Sequence, residues 1–123
     1  MHSLSPAEGR KDILIMLLNT PEEKKIVWTS HSKMKMRQYR LSEQRVLRVL
    51  RSPDRKEEGI APGTLAAMQI TGTKKHPTEI WLMYVFLKRP KGVKISSTWR
   101  YPARSPIGRP IPVPQDILEQ MDD

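Results

Sequence analysis

Three side chains in this sequence are of the types needed to cleave a phosphodiester without a metal: His31, Arg100 and Tyr101. Such a cleavage needs a base for the 2′-hydroxyl, cations on the charge that develops at phosphorus, and a proton for the leaving oxygen. His31 is the candidate base. It falls in the first turn of an expected helix beside Lys33 and Lys35, a setting that disfavours the imidazolium and leaves a neutral ring able to accept a proton. Arg100 would steady the phosphorane, and Tyr101 would orient or protonate the leaving group. If the first helix crosses the sheet near the end of the last strand, His31, Arg37, Arg100 and Tyr101 converge. A structural role competes at each position: a strand-edge or helix-cap hydrogen bond for His31, core packing for Tyr101 and for Trp99 beside it.

Around His31 the chain is crowded with cations. Lys33, Lys35, Arg37, Arg40, Arg45, Arg48 and Arg51 are opposed only by Glu43 within Lys33–Arg51. Lys33, Arg37 and Arg40 follow an i, i+4, i+7 spacing and share one helical face. Arg45, Arg48 and Arg51 follow i, i+3, i+6 on a second helix whose apolar side is Val46, Leu47, Val49 and Leu50. Each helix can dock on a core and still present a row of charge. Such rows are either a solvated surface or an anion-binding surface suited to a phosphate backbone.

The whole chain repeats that bias. With 22 Lys and Arg against 13 Asp and Glu in 123 residues, a polyanionic partner is expected, nucleic acid before a membrane surface. There is no cysteine, which excludes disulfides, thiolate metal sites and cysteine nucleophiles and fits a cytoplasmic location. His2, His31 and His76 have no ligand spacing, and Glu57, Glu58 and Glu79 lie in no metal motif, so no metal or other cofactor is expected. Neither a glycine-rich phosphate loop nor a serine elbow is present. The apolar run within Ile13–Leu18 is too short to span a bilayer.

The elements that must position these residues can be read in order. Residues 1–25 form an N-terminal extension. Ile26–Trp28 is a short strand. Two helices follow, with Ser30 and Ser42 as N-caps and a tight corner at Arg40–Leu41. Arg55–Ile60 reads as an edge strand and Thr64–Thr71 as another. Glu79–Lys88 is apolar on both parities, as a central strand should be. In Val93–Tyr101, Val93, Ile95, Ser97, Trp99 and Tyr101 alternate with Lys94, Ser96, Thr98 and Arg100, giving one buried and one polar, basic face. Residues 102–123 are an extended Pro-rich tail with a short helix from Gln115. The expected fold is α+β: two N-terminal helices on an antiparallel sheet of three or four strands, with residues 26–101 as the domain.

The pattern WTSHSKMKM..YRLS..RV..VL.SP.R.EEGI, then EIWLMYV and KISSTWRYP, resembles an uncharacterised bacterial domain family of the RelE/ParE toxin-like superfamily. The resemblance covers roughly Val27–Pro102. It implies a compact helix-pair-plus-sheet fold, an RNA-associated surface and a small acidic antitoxin as partner. Activities in that superfamily vary, so it supplies no catalytic residue list. The leading expectation is an RNA-directed, toxin-like protein with metal-independent ribonuclease chemistry as one form of it. A non-catalytic nucleic-acid-binding domain and a protein-interaction module with basic helices against an acidic partner stay open beside it.

Overall fold

The computed structural model describes residues 25–121. The apolar run at Ile13–Leu18 lies outside them. The element order is β1 (Ile26–Trp28), α1 (Ser30–Tyr39), α2 (Glu43–Arg51), β2 (Arg55–Glu58), β3 (Leu65–Gly72), β4 (Pro77–Lys88), β5 (Lys91–Tyr101) and α3 (Gln115–Met121). No described helix is long and apolar enough to cross a membrane.

The expected antiparallel sheet of three or four strands beneath two N-terminal helices is corrected. The sheet has five strands in the order β1-β5-β4-β3-β2, and it is mixed, because β1 runs parallel to β5. A third helix ends the described chain. The parallel pair is only three residues long, Ile26 to Trp28 opposite Val93 to Ile95, too short for alternation in sequence to reveal its direction. Gly92 permits the approach, since a Cβ there would collide with the Lys25 carbonyl. The longest strand, β4, is central and pairs antiparallel with β3 and β5.

Local chemistry explains the helix pair. Thr29, one residue before the expected Ser30, caps α1: its side chain accepts from the Ser32 amide at 3.0 Å. Ser42 caps α2 in the same way through the Arg45 amide. Between them Arg40 takes a left-handed φ of 56°, and the Leu41 amide donates back to the Met36 carbonyl at 2.8 Å, which makes the corner. Val46, Val49 and Leu50 of α2 are fully buried with Ala67, Ile80, Leu82 and Tyr84 of the sheet. Each such side chain contributes about 1.5–3 kcal/mol by leaving water. α1 packs chiefly on β5. Its N-cap amide donates to the Ile95 carbonyl at 3.3 Å and its C-terminal carbonyls accept from Arg100, so it lies along the stretch of β5 that β1 leaves unpaired.

One residue decides the two faces of β5. Met83 pairs with Ser97 but Tyr84 pairs with Ile95, so Ser96 is an extra residue, a β-bulge. The single buried face expected from Val93 through Tyr101 is therefore split. Val93 and Ile95 point to the helices, while Trp99 packs on the opposite side with Trp81, Met83, Ile111 and Ile117. The Trp81 and Trp99 rings stack with centroids 6.0 Å apart.

The tail covers that opposite side. It is held by Glu79, a buried carboxylate that accepts from the Ser105 amide at 2.9 Å, the Ser105 hydroxyl at 2.7 Å, the Trp81 indole at 2.8 Å and Arg104 at 3.3 Å. Burial would raise the Glu79 carboxyl, but these donors hold it below the usual carboxylate value. Arg55 adds a second tie, donating to the Ser105 hydroxyl at 2.8 Å and lying over the Trp81 ring.

Candidate functional site

The bulge at Ser96 also decides which of the expected catalytic residues meet. Arg100 is opposite Ile80 and faces the helices; its guanidinium donates to the Tyr39 carbonyl at 2.8 Å and the Arg40 carbonyl at 3.4 Å. Tyr101 is opposite Glu79 and packs half-buried on the tail-side cluster. Neighbouring positions on a strand point to opposite faces, so Arg100 and Tyr101 cannot address one substrate atom. His31 is with neither of them. Its Nε2 lies 3.0 Å from the Ser97 hydroxyl, the partner that sequence reasoning missed.

His31 lines a groove of about 1040 Å³ on the tail side of the sheet. Its walls come from α1 (Met34, Arg37), the β2–β3 turn (Ala61, Thr64), β5 (Lys94, Ser96, Ser97) and Gln120 of α3, with Met83 beneath. Among the described residues no carboxylate lines it. The imidazole is held below its ordinary value, first by burial and then by the charge of Lys35, with Asp116 acting in the opposite sense. Both burial and Lys35 disfavour the imidazolium, with burial the larger cause. Ser97 and Lys94 gave no separate signal in the sequence. The first read as a core position and the second as part of a regular polar face.

The cations divide into three groups. Lys35 is withdrawn from the surface: it is buried, ion-paired with Asp116 of α3 and bonded to Gln38 at 3.0 Å. Lys33, Arg37 and Arg40 are exposed along a shallow cleft at the helix corner, which Glu43 shares. Arg45, Arg48 and Arg100 form the third group, across one end of the helix face. There Gln69, Ile80 and Arg100 are aligned on β3, β4 and β5. Arg45 donates to the Gln69 side chain at 2.7 Å, and Gln69 in turn donates to the Arg48 carbonyl at 3.2 Å. Burial, then the like charges of Arg48 and Arg100, lower the Arg45 guanidinium below its ordinary value, though such a group stays charged. No carboxylate among the described residues forms an ion pair with Arg45, Arg48 or Arg100. Arg51, at the end of α2, is exposed and reaches back to the Leu47 carbonyl at 3.4 Å.

Among the described residues no three His, Asp or Glu side chains stand where they could share a metal ion. His76 is exposed on the β3–β4 turn, and Glu57 pairs with Arg55 at 2.6 Å. No family model, curated protein or solved structure matches the chain.

Proposed function

We propose that this chain is an RNA-directed, toxin-like protein of the RelE/ParE kind, which grips the phosphate backbone through the arginines at the end of its helix face. The observation that carries the reading is the clustering of Arg45, Arg48 and Arg100 with no carboxylate ion pair among the described residues, continued by Arg40 at the helix corner. Like charges held together repel, and a bound polyanion relieves that repulsion. Guanidinium forks suit phosphate oxygens better than lysine does. An acidic partner chain, as an antitoxin would be, competes for the same arginines.

The test is a salt titration of RNA binding. Affinity should fall with a log–log slope of about 0.7 per contacted phosphate for a single strand. Arg45→Glu with Arg48→Glu should abolish binding at physiological salt while the thermal transition is retained. Retained affinity in that double variant overturns the proposal.

One observation favours a catalytic form of this reading: an imidazole whose charged form is disfavoured, in a groove that also holds Arg37 and Lys94. In that form His31 takes the 2′-hydroxyl proton, the oxygen attacks phosphorus to give a cyclic phosphate, and the 5′ oxygen leaves with a proton from solvent water, whose hydroxide the imidazolium then neutralises. Arg100 and Tyr101 take no part. Cleavage should then persist in EDTA and fall by ~10²–10⁴ in His31→Ala. If the wild-type chain, alone or with translating ribosomes, cuts no RNA, the binding form stands by itself.

A further inference from the structure

The groove beside His31 lies on the tail side of the sheet, whereas Arg45, Arg48 and Arg100 lie on the helix side. Arg37 joins the two regions. It lines the groove and also the cleft it shares with Arg40 at the helix corner. The groove differs in kind from the arginine surface. Its floor and one wall carry the thioethers of Met83 and Met34, flat and polarisable contacts for an aromatic ring. Around them stand the hydroxyls of Thr29, Ser30, Thr64, Ser96 and Ser97 and the His31 ring. Those of Thr29, Thr64 and Ser96 donate to backbone carbonyls and keep lone pairs that can accept from a base edge, while Ser30 has no side-chain hydrogen bond among the described residues. Arg37 and Lys94 bring positive charge, and no lining residue among those described brings a negative one. Its volume is ample for one nucleotide.

Ser97 is built into the site and not merely exposed on it. It is 2% exposed, and its hydroxyl meets His31 Nε2 at 3.0 Å. That contact fixes the ring's position and leaves Nδ1, which has no hydrogen bond among the described residues, as the nitrogen open to a ligand. The Ser96 bulge presents Ser97 to this face, and the same bulge is tied to the start of α1 by the Thr29 hydroxyl, which donates to the Ser96 carbonyl at 3.3 Å. The wall that carries His31 and the strand that carries Ser97 therefore keep a fixed separation.

From this arrangement we infer that the groove binds a nucleoside phosphate, with the base between Met34 and Met83 and the phosphate on Arg37 and Lys94. The inference rests on the RNA-directed reading for the source it favours, an unstacked nucleotide of a strand whose backbone passes over Arg37. A free mononucleotide offers the same chemistry.

The test titrates each of the four ribonucleoside 5′-monophosphates into the full chain, with the matching nucleosides and inorganic phosphate as controls. Amide chemical shifts and calorimetry give the readout. At least one nucleotide should bind about tenfold tighter than its nucleoside and than phosphate, because base and phosphate are both held. The shifts should centre on Met34, Lys94, Ser96 and Ser97. Lys94→Glu and Met34→Glu, both on side chains with solvent access, should each weaken binding about tenfold or more, the first mainly through the phosphate and the second mainly through the base. Lys74→Glu, on the exposed turn before β4 and outside the groove lining, should leave mononucleotide binding unchanged.

A short single-stranded RNA that binds more than tenfold tighter than the mononucleotide, and shifts both faces, identifies a strand as the source. Equal affinities identify the free nucleotide. Shifts confined to the helix face, or affinities unchanged in both groove variants, overturn the inference. Loss of RNA binding in Arg45→Glu with Arg48→Glu, alongside no mononucleotide binding, removes the groove assignment alone. Retained RNA binding in that double variant removes the arginine reading and leaves the mononucleotide result to stand.

Discussion

On the helix side of the sheet, α2 lays Val46, Val49 and Leu50 over Ile80, Leu82 and Tyr84. On the tail side, Trp81 and Trp99 stack beneath Ile111 and Ile117, and the covering chain from 102 to 114 has neither helix nor strand. The two covers solve different problems. A helix satisfies its own backbone groups and needs only an apolar face to dock. An extended segment punctuated by Pro102, Pro106, Pro110, Pro112 and Pro114 has few amides to offer and no neighbours of its own to satisfy them. It is therefore pinned by a polar side chain of the sheet. Glu79 takes the Ser105 amide and hydroxyl together, and Lys35 fixes α3 through Asp116. The helix cover rests on area, and the tail cover rests on particular hydrogen bonds. The charges differ in the same way: among the described residues Arg45, Arg48 and Arg100 of the helix side have no carboxylate ion pair, while Arg55, Arg104 and Lys35 near the tail each have one.

The most severe test of this contrast is Trp99→Ala, which empties the tail-side stack on Trp81. Denaturant unfolding should show a loss of about 3–5 kcal/mol, a large share of the about 5–15 kcal/mol that holds a domain together. The near-ultraviolet circular dichroism of the paired indoles should fall with it. A loss below about 1 kcal/mol would mean that the tail side adds little to the fold.

Glu79→Leu should come next in size. It leaves the Ser105 amide and hydroxyl and the Trp81 indole without their acceptor, at a cost of about 3 kcal/mol in denaturant unfolding. The wild-type chain carries a related pH signature. Because the folded carboxyl is depressed, its contribution is fully present above the ordinary carboxylate value and is lost as pH falls through the lower folded value. Glu79→Leu should flatten that acid limb, and an unchanged limb would assign it to other carboxylates.

Arg100→Gln tests the helix side more gently. One phosphate contact should disappear, reducing the salt slope for single-stranded RNA by about 0.7. Mononucleotide binding in the groove should be untouched. A loss in both measurements would show that the two faces act as one site.

The smallest expected effect is an electrostatic link between α3 and the groove. Asp116 raises the His31 value against burial and Lys35, so Asp116→Asn should move the imidazole titration, followed by proton chemical shifts, to lower pH. The sign extends to stability. A histidine depressed in the folded state binds protons more readily when unfolded, so stability falls as pH drops from the ordinary histidine value toward the lowered one. Movement of the midpoint upward would mean that α3 does not stand where Asp116 can reach the ring.

Parts of this arrangement were legible in the sequence for physical reasons. Ser42 with Val46, Val49 and Leu50 specifies a capped, one-sided helix, and Glu79–Lys88 reads as a strand covered on both faces. The central place of β4 and its pairing with β5 follow that reading. The bulge did not show, because Lys94, Ser96, Thr98 and Arg100 alternate with apolar neighbours as regularly as an unbroken strand would. That regularity carried Arg100 and Tyr101 into one imagined site with His31. Lys35 looked like Lys33 and Arg37 because its counter-ion, Asp116, lies in an element far along the chain. Ile26–Trp28 reads as a strand in the sequence, but its place in the sheet and its parallel direction did not show, because its partner is likewise distant and its length carries no period. Local periodicity reports a residue's own turn or strand, whereas distant pairing and register depend on residues that periodicity never compares.

The parallel seam between β1 and β5 has a consequence for the order in which the chain is made. As synthesis proceeds, β1 and both leading helices emerge long before the strand that α1 packs on and β1 pairs with. Contacts so far apart in sequence are slow to close. Until residues 93–101 clear the ribosome, the nascent segment carries a dense run of arginine and lysine with no floor beneath it, in a setting rich in ribosomal RNA. Arrested chains ending before Val93 should therefore remain protease-sensitive through α1. Those extended far enough to release Tyr101 should become protected in a single step.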